Sequence, residues 1–149
     1  MHAARATHSP PVGADGHAPL SHASLAVVQL QLGAVCVAVE AACVQSLAPC
    51  AHDAPWPTLE AVLGLPTPAP LGPRRCLSLR LLPGSTPPLQ LSVPATLSLQ
   101  HLPAPSIWPI PPLLAACCRL PGLRALSWQP QGVVLLVDVR RLGGADPRR

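Results

Sequence analysis

The sequence predicts a mainly β fold, a sandwich or a barrel of about seven short strands and two short helices. Apolar residues recur at every second position over several runs, which is the period of a strand. Clusters of Pro, Gly and Ser separate these runs and mark turns. A continuously apolar run near the C-terminal end, Val133-Val-Leu-Leu-Val137, is typical of a central strand buried on both faces.

The first predicted unit is a hairpin that begins at residue 25. Its first strand places apolar residues opposite Gln29 and Gln31, Gly33 offers a turn, and a valine-rich second strand ends at Glu40. Residues 44–47 can add a third short strand. The apolar face predicted for the first strand consists of Ala26, Val28, Leu30 and Leu32.

A short helix follows a loop over residues 48–57. Thr58 is a plausible N-cap for it, and Gly64 is a plausible end. A Pro-rich connection over residues 66–73 then leads to a strand over residues 76–81, in which leucines occupy every second position.

The longest alternation covers residues 89–99, where six apolar residues in succession occupy every second position. A helix would scatter these residues around its axis, so the pattern predicts one strand over the whole run. Pro94 lies on the polar side and indicates an edge position or a bulge. The predicted buried residues are Leu89, Leu91, Val93, Ala95, Leu97 and Leu99.

The remaining elements are a Pro-rich connector over residues 101–111, a short helix over 112–120 and two final strands, 123–128 and 133–139. Asp138 interrupts the last apolar strand. We interpret it as lying at the strand end, in solvent or capping the following turn, because a buried carboxylate would need a partner.

The two ends of the chain are predicted to lie outside the folded part. Residues 1–23 lack periodicity and are predicted to form a disordered leader, and residues 144–149 a frayed tail, leaving a domain over 24–143. The leader lacks the apolar segment of a secretory signal. The uncharged stretch over 81–118 contains nine prolines, which no spanning helix would tolerate. We therefore expect a cytoplasmic protein without direct membrane insertion.

The net charge of +4 comes entirely from arginine, because the chain has no lysine. The arginines are scattered and the chain has no Phe or Tyr, whereas nucleic-acid binding needs a basic stripe interleaved with aromatic residues. We expect no nucleic-acid partner. Lys, Phe, Tyr and Asn share A/T-rich codons, so their joint absence also allows the alternative that a GC-rich frame encodes no stable protein.

The six cysteines lack the C-x-x-C spacing of zinc sites and are predicted to be small buried apolar residues. A disulfide framework is the weaker interpretation without a secretory signal. The positions are Cys36, Cys43, Cys50, Cys76, Cys117 and Cys118. The leader histidines His2, His8, His17 and His22 are too irregularly spaced for a metal site.

No catalytic, cofactor-binding or metal-binding residue is predicted, because no phosphate loop, G-x-G-x-x-G or G-x-S-x-G motif is present. The alternative is a small cytosolic enzyme with a Cys/His site, either the neighbours Cys50 and His52 or a cleft near His101. Neighbours in a loop rarely have triad geometry. Trp56, Trp108 and Trp128 are predicted to fill the core, and Trp108, which lies between prolines, is the strongest candidate among them for an exposed side chain.

The order of the elements resembles the CheW-like domain, the adaptor module of bacterial chemotaxis systems. The opening hairpin over 25–46 resembles that of the family. Leu59-Glu-Ala-Val-Leu-Gly64-Leu-Pro66 is similar to the stretch that closes the family's first half. Val133-Val-Leu-Leu-Val-Asp138-Val-Arg-Arg-Leu142 resembles its closing strand.

This resemblance implies two small SH3-like β-barrels of five strands each with short helices, and a non-catalytic role without a cofactor. It also implies protein partners, a histidine kinase and/or a chemoreceptor, which the adaptor would couple by surface contacts. Only residues 51–57 occupy the space of a family turn and strand, so the first barrel is expected to be truncated. Val93 is followed by Pro94 where the family usually has a Val-Asp pair.

Overall fold

A computed structural model describes residues 23–51, 53–69, 72–84 and 87–142. The predicted leader and tail lie outside the described residues, apart from Ala23. The described strands are β1 (Ser24–Leu32), β2 (Val35–Glu40), β3 (Val44–Pro49), β4 (Arg74–Leu79), β5 (Leu89–Pro94), β6 (Leu97–Pro103), β7 (Ile107–Pro109), β8 (Leu123–Gln129) and β9 (Gly132–Val137). The helices are α1 (Leu59–Val62) and α2 (Pro112–Cys117), with 3₁₀ turns at Ala41–Cys43, Ala104–Ser106 and Val139–Arg141.

Six strands form one curled sheet in the order β6-β1-β2-β9-β8-β7. The pair β2–β9 is parallel and the other neighbours are antiparallel. β6 and β7 lie at opposite edges of this sheet, although only the 3₁₀ turn Ala104–Ser106 separates them in the chain. The sheet must therefore curl into a half-barrel so that one continuous segment can supply both of its edges.

The other three strands form a small sheet in the order β3-β4-β5. The mainly β prediction with short helices is therefore confirmed, and the fold consists of a half-barrel and a small open sheet. The small sheet has three strands where the resemblance implied five. Residues 50–57 span the whole distance from β3 to the N-cap of α1, and they are too few to add a further hairpin with strands of usual length.

The central strands of the half-barrel bury side chains on both faces. One face points into the half-barrel, where the buried residues are Val27, Ala38, Leu102, Ala125, Val134 and Leu136. The other face packs against the small sheet and α1. The half-barrel contributes Leu30, Leu32, Val37, Val39 and Val137 to this second core, and the small sheet contributes Leu77, Leu79, Leu91 and Val93. Leu59 of α1 and Leu63, which follows the helix, also belong to it. The two-faced burial predicted for 133–137 is confirmed, because β9 lies between β2 and β8.

The hairpin prediction is confirmed, with Gly33 in the turn at φ +63°. The face predicted for β1 is incomplete, however, because Val27 is fully buried as well as Leu30. Val27 contacts the interior of the half-barrel and Leu30 contacts the small sheet. A strand that separates two cores needs apolar residues on both sides, which simple alternation does not reveal.

Helix α1 forms where the sequence predicts it. The Thr58 Oγ1 accepts a hydrogen bond from the Ala61 N–H at 3.2 Å, and Gly64 follows the helix at φ +68°, a conformation that favours glycine. Leu59 and Leu63 are buried against the small sheet. The Ser92 N–H donates to the Pro57 carbonyl at 2.9 Å, which attaches the start of the helix to β5.

The single strand predicted over residues 89–99 is wrong. The structure divides this run into β5, which belongs to the small sheet, and β6, which belongs to the half-barrel. Pro94 is the last residue of β5, and the chain bends at the two residues that follow. After the bend, Leu97 still packs against the core between the two sheets, but Leu99 on the same face is 63% exposed. Leu102, on the other face of β6, is 1% exposed in the half-barrel interior. β6 also continues into the predicted connector over 101–111.

An ion pair connects α1 with β4 and β5. Glu60, 1% exposed, receives two hydrogen bonds from Arg74, with Nη1–Oε1 at 2.7 Å and Nη2–Oε2 at 2.8 Å. Two further donors of Arg74 contact Ser92, with Nε–Oγ at 3.1 Å and Nη2–O at 2.7 Å. Every charge in this cluster therefore has a partner, as burial requires.

We expect this pair to make stability depend on pH. Burial raises the pKa of Glu60, but hydrogen bonds from Arg74 and the Glu60 backbone N–H, with the Arg74 charge, outweigh it and hold the pKa below its ordinary 4.5. The contribution of Glu60 is thus complete above the unfolded pKa and is lost as pH falls through the folded pKa. Urea unfolding should give a larger free energy of unfolding for wild type than for Glu60→Gln. This difference should be constant above about pH 6 and should shrink below about pH 4.5. A difference independent of pH would contradict this expectation.

Candidate protein-binding surface

The residues considered for catalysis are not assembled into a site in the described part of the chain. Cys50 is half-buried after β3, and His52 lies outside the described residues. His101 is exposed on β6. The interpretation of Asp138 is confirmed: its Oδ1 accepts a hydrogen bond from the Arg140 N–H at 3.1 Å and caps the turn Val139–Arg141.

The prediction of buried cysteines holds for only part of the set. Cys43 is buried, Cys36, Cys50 and Cys76 are half-buried, and Cys117 and Cys118 are exposed. All six are free thiols. Burial raises the pKa of Cys36, Cys43 and Cys76, which favours the neutral thiol over the nucleophilic thiolate. The prediction fails for this pair because Cys117 ends α2 and Cys118 follows it, and this short helix has no buried residue.

Residues 23–51, 53–69, 72–84 and 87–142 contain no group of three or more His, Cys, Asp or Glu side chains placed to hold a metal ion. Over the same residues, no helix has the length and apolar character needed to cross a membrane.

Two tryptophans on neighbouring strands are exposed on the same face of the sheet. Trp108 on β7 is 63% exposed and Trp128 on β8 is 67% exposed. Trp108 pairs with Leu126 and Trp128 pairs with Val133 in the register of the sheet. Directly paired residues and residues two apart in a strand share a face, so these four residues form one outward surface. We call Trp108, Leu126, Trp128 and Val133 the Trp surface.

The size of the half-barrel explains why the tryptophans face outward. The β8 residues that alternate with Leu126 and Trp128 are Ala125 and Ser127, which are buried inside the half-barrel. Its buried neighbours there are Val27, Ala38, Leu102, Val134 and Leu136, so the interior is filled by side chains no larger than leucine. An indole does not fit among them, and the alternation then directs both tryptophans to the opposite face.

Hydrogen bonds between polar side chains fix the strands that carry the Trp surface. The Ser127 hydroxyl, fully buried, lies 3.0 Å from the Ser106 hydroxyl and accepts a hydrogen bond from Gln129 Nε2 at 2.8 Å. Ser106 also donates to the Pro103 carbonyl at 2.8 Å. These bonds connect β8 with the turn between β6 and β7, so Trp108 and Trp128 are held on ordered backbone.

The prediction that the tryptophans fill the core is wrong for all three, since Trp56 is also 39% exposed. Trp108, the strongest candidate for exposure, is indeed exposed, and Trp128 is exposed to a similar degree. The small residues Ala125 and Ser127 on either side of Leu126 were the signal available in the sequence. They indicate a narrow interior, which leaves the large residues of β8 for the outside.

The Trp surface is the uncovered part of an apolar sheet face whose other part is buried by the small sheet. Leu135 of β9 pairs with Leu126 and packs against the core between the two sheets. The small sheet thus covers the outer face of the half-barrel over its central strands, while the same face stays open over β7 and β8. Open apolar surfaces that contain aromatic residues are typical of sites where proteins associate.

The half-barrel and the smaller sheet share an apolar core, and their arrangement is similar to that of a CheW protein. Comparison with solved structures agrees: the chain is similar to the crystal structure of the scaffolding protein TtCheW from Thermoanaerobacter tengcongensis, with a TM-score of 0.60 and 13% identity. The alignment covers 85% of this chain and 97% of TtCheW. No family model matches the sequence. No curated protein shows significant sequence similarity to it.

Proposed function

We propose that this chain is a non-catalytic adaptor of a chemotaxis-type two-component signalling complex. Its CheW-like domain, over residues 24–143, would couple a chemoreceptor to a histidine kinase in the cytoplasm by protein–protein contacts. The fold supports this proposal, because TtCheW, to which the chain is similar, is a scaffolding protein.

The observation that carries the proposal is the exposure of Trp108 and Trp128 on one sheet face. Tryptophan is enriched among the residues that dominate binding energy at protein interfaces, and such residues cluster at the interface centre. The surface lies on a rigid, hydrogen-bonded pair of strands, so binding would cost little conformational entropy. A partner with an apolar patch of similar size would cover both indoles.

Affinity capture from the native lysate, followed by mass spectrometry, tests the role. The wild-type chain is expected to recover a histidine kinase or a chemoreceptor, and the variant Trp108→Ser/Trp128→Ser to recover about tenfold less or lower still. Titration of the purified partner by calorimetry then gives the change in Kd. Recovery of neither class of protein by the wild-type chain would contradict the adaptor role.

Leu99→Ser is the matched control. Leu99 is as exposed as Trp108 but lies on β6, at the opposite edge of the half-barrel. Its replacement removes a similarly exposed apolar side chain and should leave recovery of the partner unchanged. An equal loss with Leu99→Ser would show that general surface hydrophobicity, and not the Trp surface, governs capture.

A further inference from the structure

A cavity of about 190 Å³ opens near the ends of β1, β2 and β9. Leu25, Ala38 and Leu136, which belong to or pack against the interior core of the half-barrel, line its apolar part. The cavity is well below the roughly 300–1,000 Å³ of sites for drug-sized ligands, so only a small molecule fits.

Four charged side chains of both signs line the same cavity: Arg124, Arg140, Glu40 and Asp138. Within the described residues, the protein's ion pair is formed by Arg74 and Glu60. None of the four charged groups at the cavity lies within 4.0 Å of a described group of opposite charge. Asp138 uses one oxygen to cap the turn that carries Arg140, which leaves its second oxygen available.

The buried Cys43 also lines the cavity, next to these charges. Burial raises the pKa of its thiol, the carboxylates of Glu40 and Asp138 raise it further, and Arg140 acts in the opposite direction. The thiol is therefore neutral near pH 7, and the charges at the cavity are those of the two arginines and the two carboxylates.

Charges of both signs around an apolar lining determine which class of ligand the cavity can bind. A simple anion would be repelled by Glu40 and Asp138, and a simple cation by Arg124 and Arg140. A zwitterion satisfies both pairs, and an attached aliphatic group can occupy the apolar part of the cavity.

We propose that this cavity binds a free α-amino acid with a small aliphatic side chain. Its carboxylate contacts the arginines, its ammonium group contacts Glu40 and Asp138, and its side chain packs on Leu25, Ala38 and Leu136. This site is separate from the Trp surface and does not depend on the adaptor role.

Calorimetric titration with L-valine and two analogues tests the proposal. Isovalerate lacks the ammonium group and isobutylamine lacks the carboxylate, while both keep the aliphatic part. Valine is expected to bind, and each analogue to bind at least about tenfold more weakly, because charge-assisted hydrogen bonds are lost. Absence of valine binding at millimolar concentration, or equal binding of the analogues, would overturn the proposal.

Neighbouring arginines supply a matched pair of variants. Arg140 lines the cavity, whereas Arg141, in the same turn and equally exposed, does not. Arg140→Ala should weaken valine binding about tenfold, while Arg141→Ala should leave it unchanged. Glu40→Gln is a second variant that keeps side-chain size and should weaken valine but not isovalerate. Equal effects of the two arginine variants, with circular dichroism showing both folded, would also reject the site.

Discussion

Replacing Glu60 by alanine is expected to reduce the free energy of unfolding by about 3–5 kcal/mol. Glu60 is 1% exposed, and both of its oxygens receive hydrogen bonds from Arg74. Its removal leaves a largely buried guanidinium without its counter-charge, and the desolvation of that group is then uncompensated. The junction between α1, β4 and β5 loses its main polar contact. Urea denaturation at pH 7 measures the change.

Glu40→Ala is the appropriate control for this substitution. Glu40 is half-buried at the end of β2 and has no ion pair among the described residues. Its replacement should change the free energy of unfolding by less than about 1 kcal/mol. If both variants lost similarly little stability, the Glu60–Arg74 pair would not hold the junction.

Replacing Leu91 by alanine is expected to cost about 2–5 kcal/mol, the range for large-to-small changes in a packed core. Leu91 is fully buried in the middle of β5, between the small sheet and the half-barrel. The surrounding side chains are closely packed and can move only partly into the space that the leucine leaves. Thermal or chemical unfolding followed by circular dichroism measures the loss.

Leu99→Ala is the control for Leu91→Ala, because it truncates an exposed leucine instead of a buried one. Leu91 and Leu99 belong to one alternating run in the sequence, but Leu99 is 63% exposed on β6. Its truncation should change stability by about 0.5 kcal/mol or less. Equal losses at the two positions would support one continuous strand and contradict the division of the run between two sheets. A cooperative transition in the wild-type chain would also exclude the alternative that the frame encodes no stable protein.

The adaptor role and amino-acid binding depend on different parts of this domain. Capture of a kinase or receptor depends on the Trp surface of β7 and β8. Binding of valine depends on charges at the ends of β2 and β9. Loss of either result leaves the other standing, so the experiments separate the two proposals.

Local signals in the sequence were sufficient to predict α1 and the first hairpin. Thr58 and Gly64 define α1 because a hydroxyl cap and a left-handed glycine act through neighbouring backbone atoms. Gly33 and the valines of β2 define the first hairpin in the same local way. The resemblance to CheW-like domains likewise rested on the order of these elements, which the structural similarity to TtCheW supports.

Contacts between distant segments were not readable from these local patterns. The alternation over 89–99 does not reveal that the chain bends after Pro94 and changes sheets. The pairing of Arg74 with Glu60 joins residues that lie 14 positions apart, and neither residue has a local feature that identifies the other.

The β class, the first hairpin, α1 and the two-faced burial of the last strand follow from the sequence, because period and capping are local properties of the chain. Which apolar residues lie outside depends on contacts that form only in the folded chain. Trp108 and Trp128 face solvent, whereas the interior of the curled sheet is filled by side chains no larger than leucine. Such curvature arises from the packing of the whole sheet, and no single run of residues encodes it.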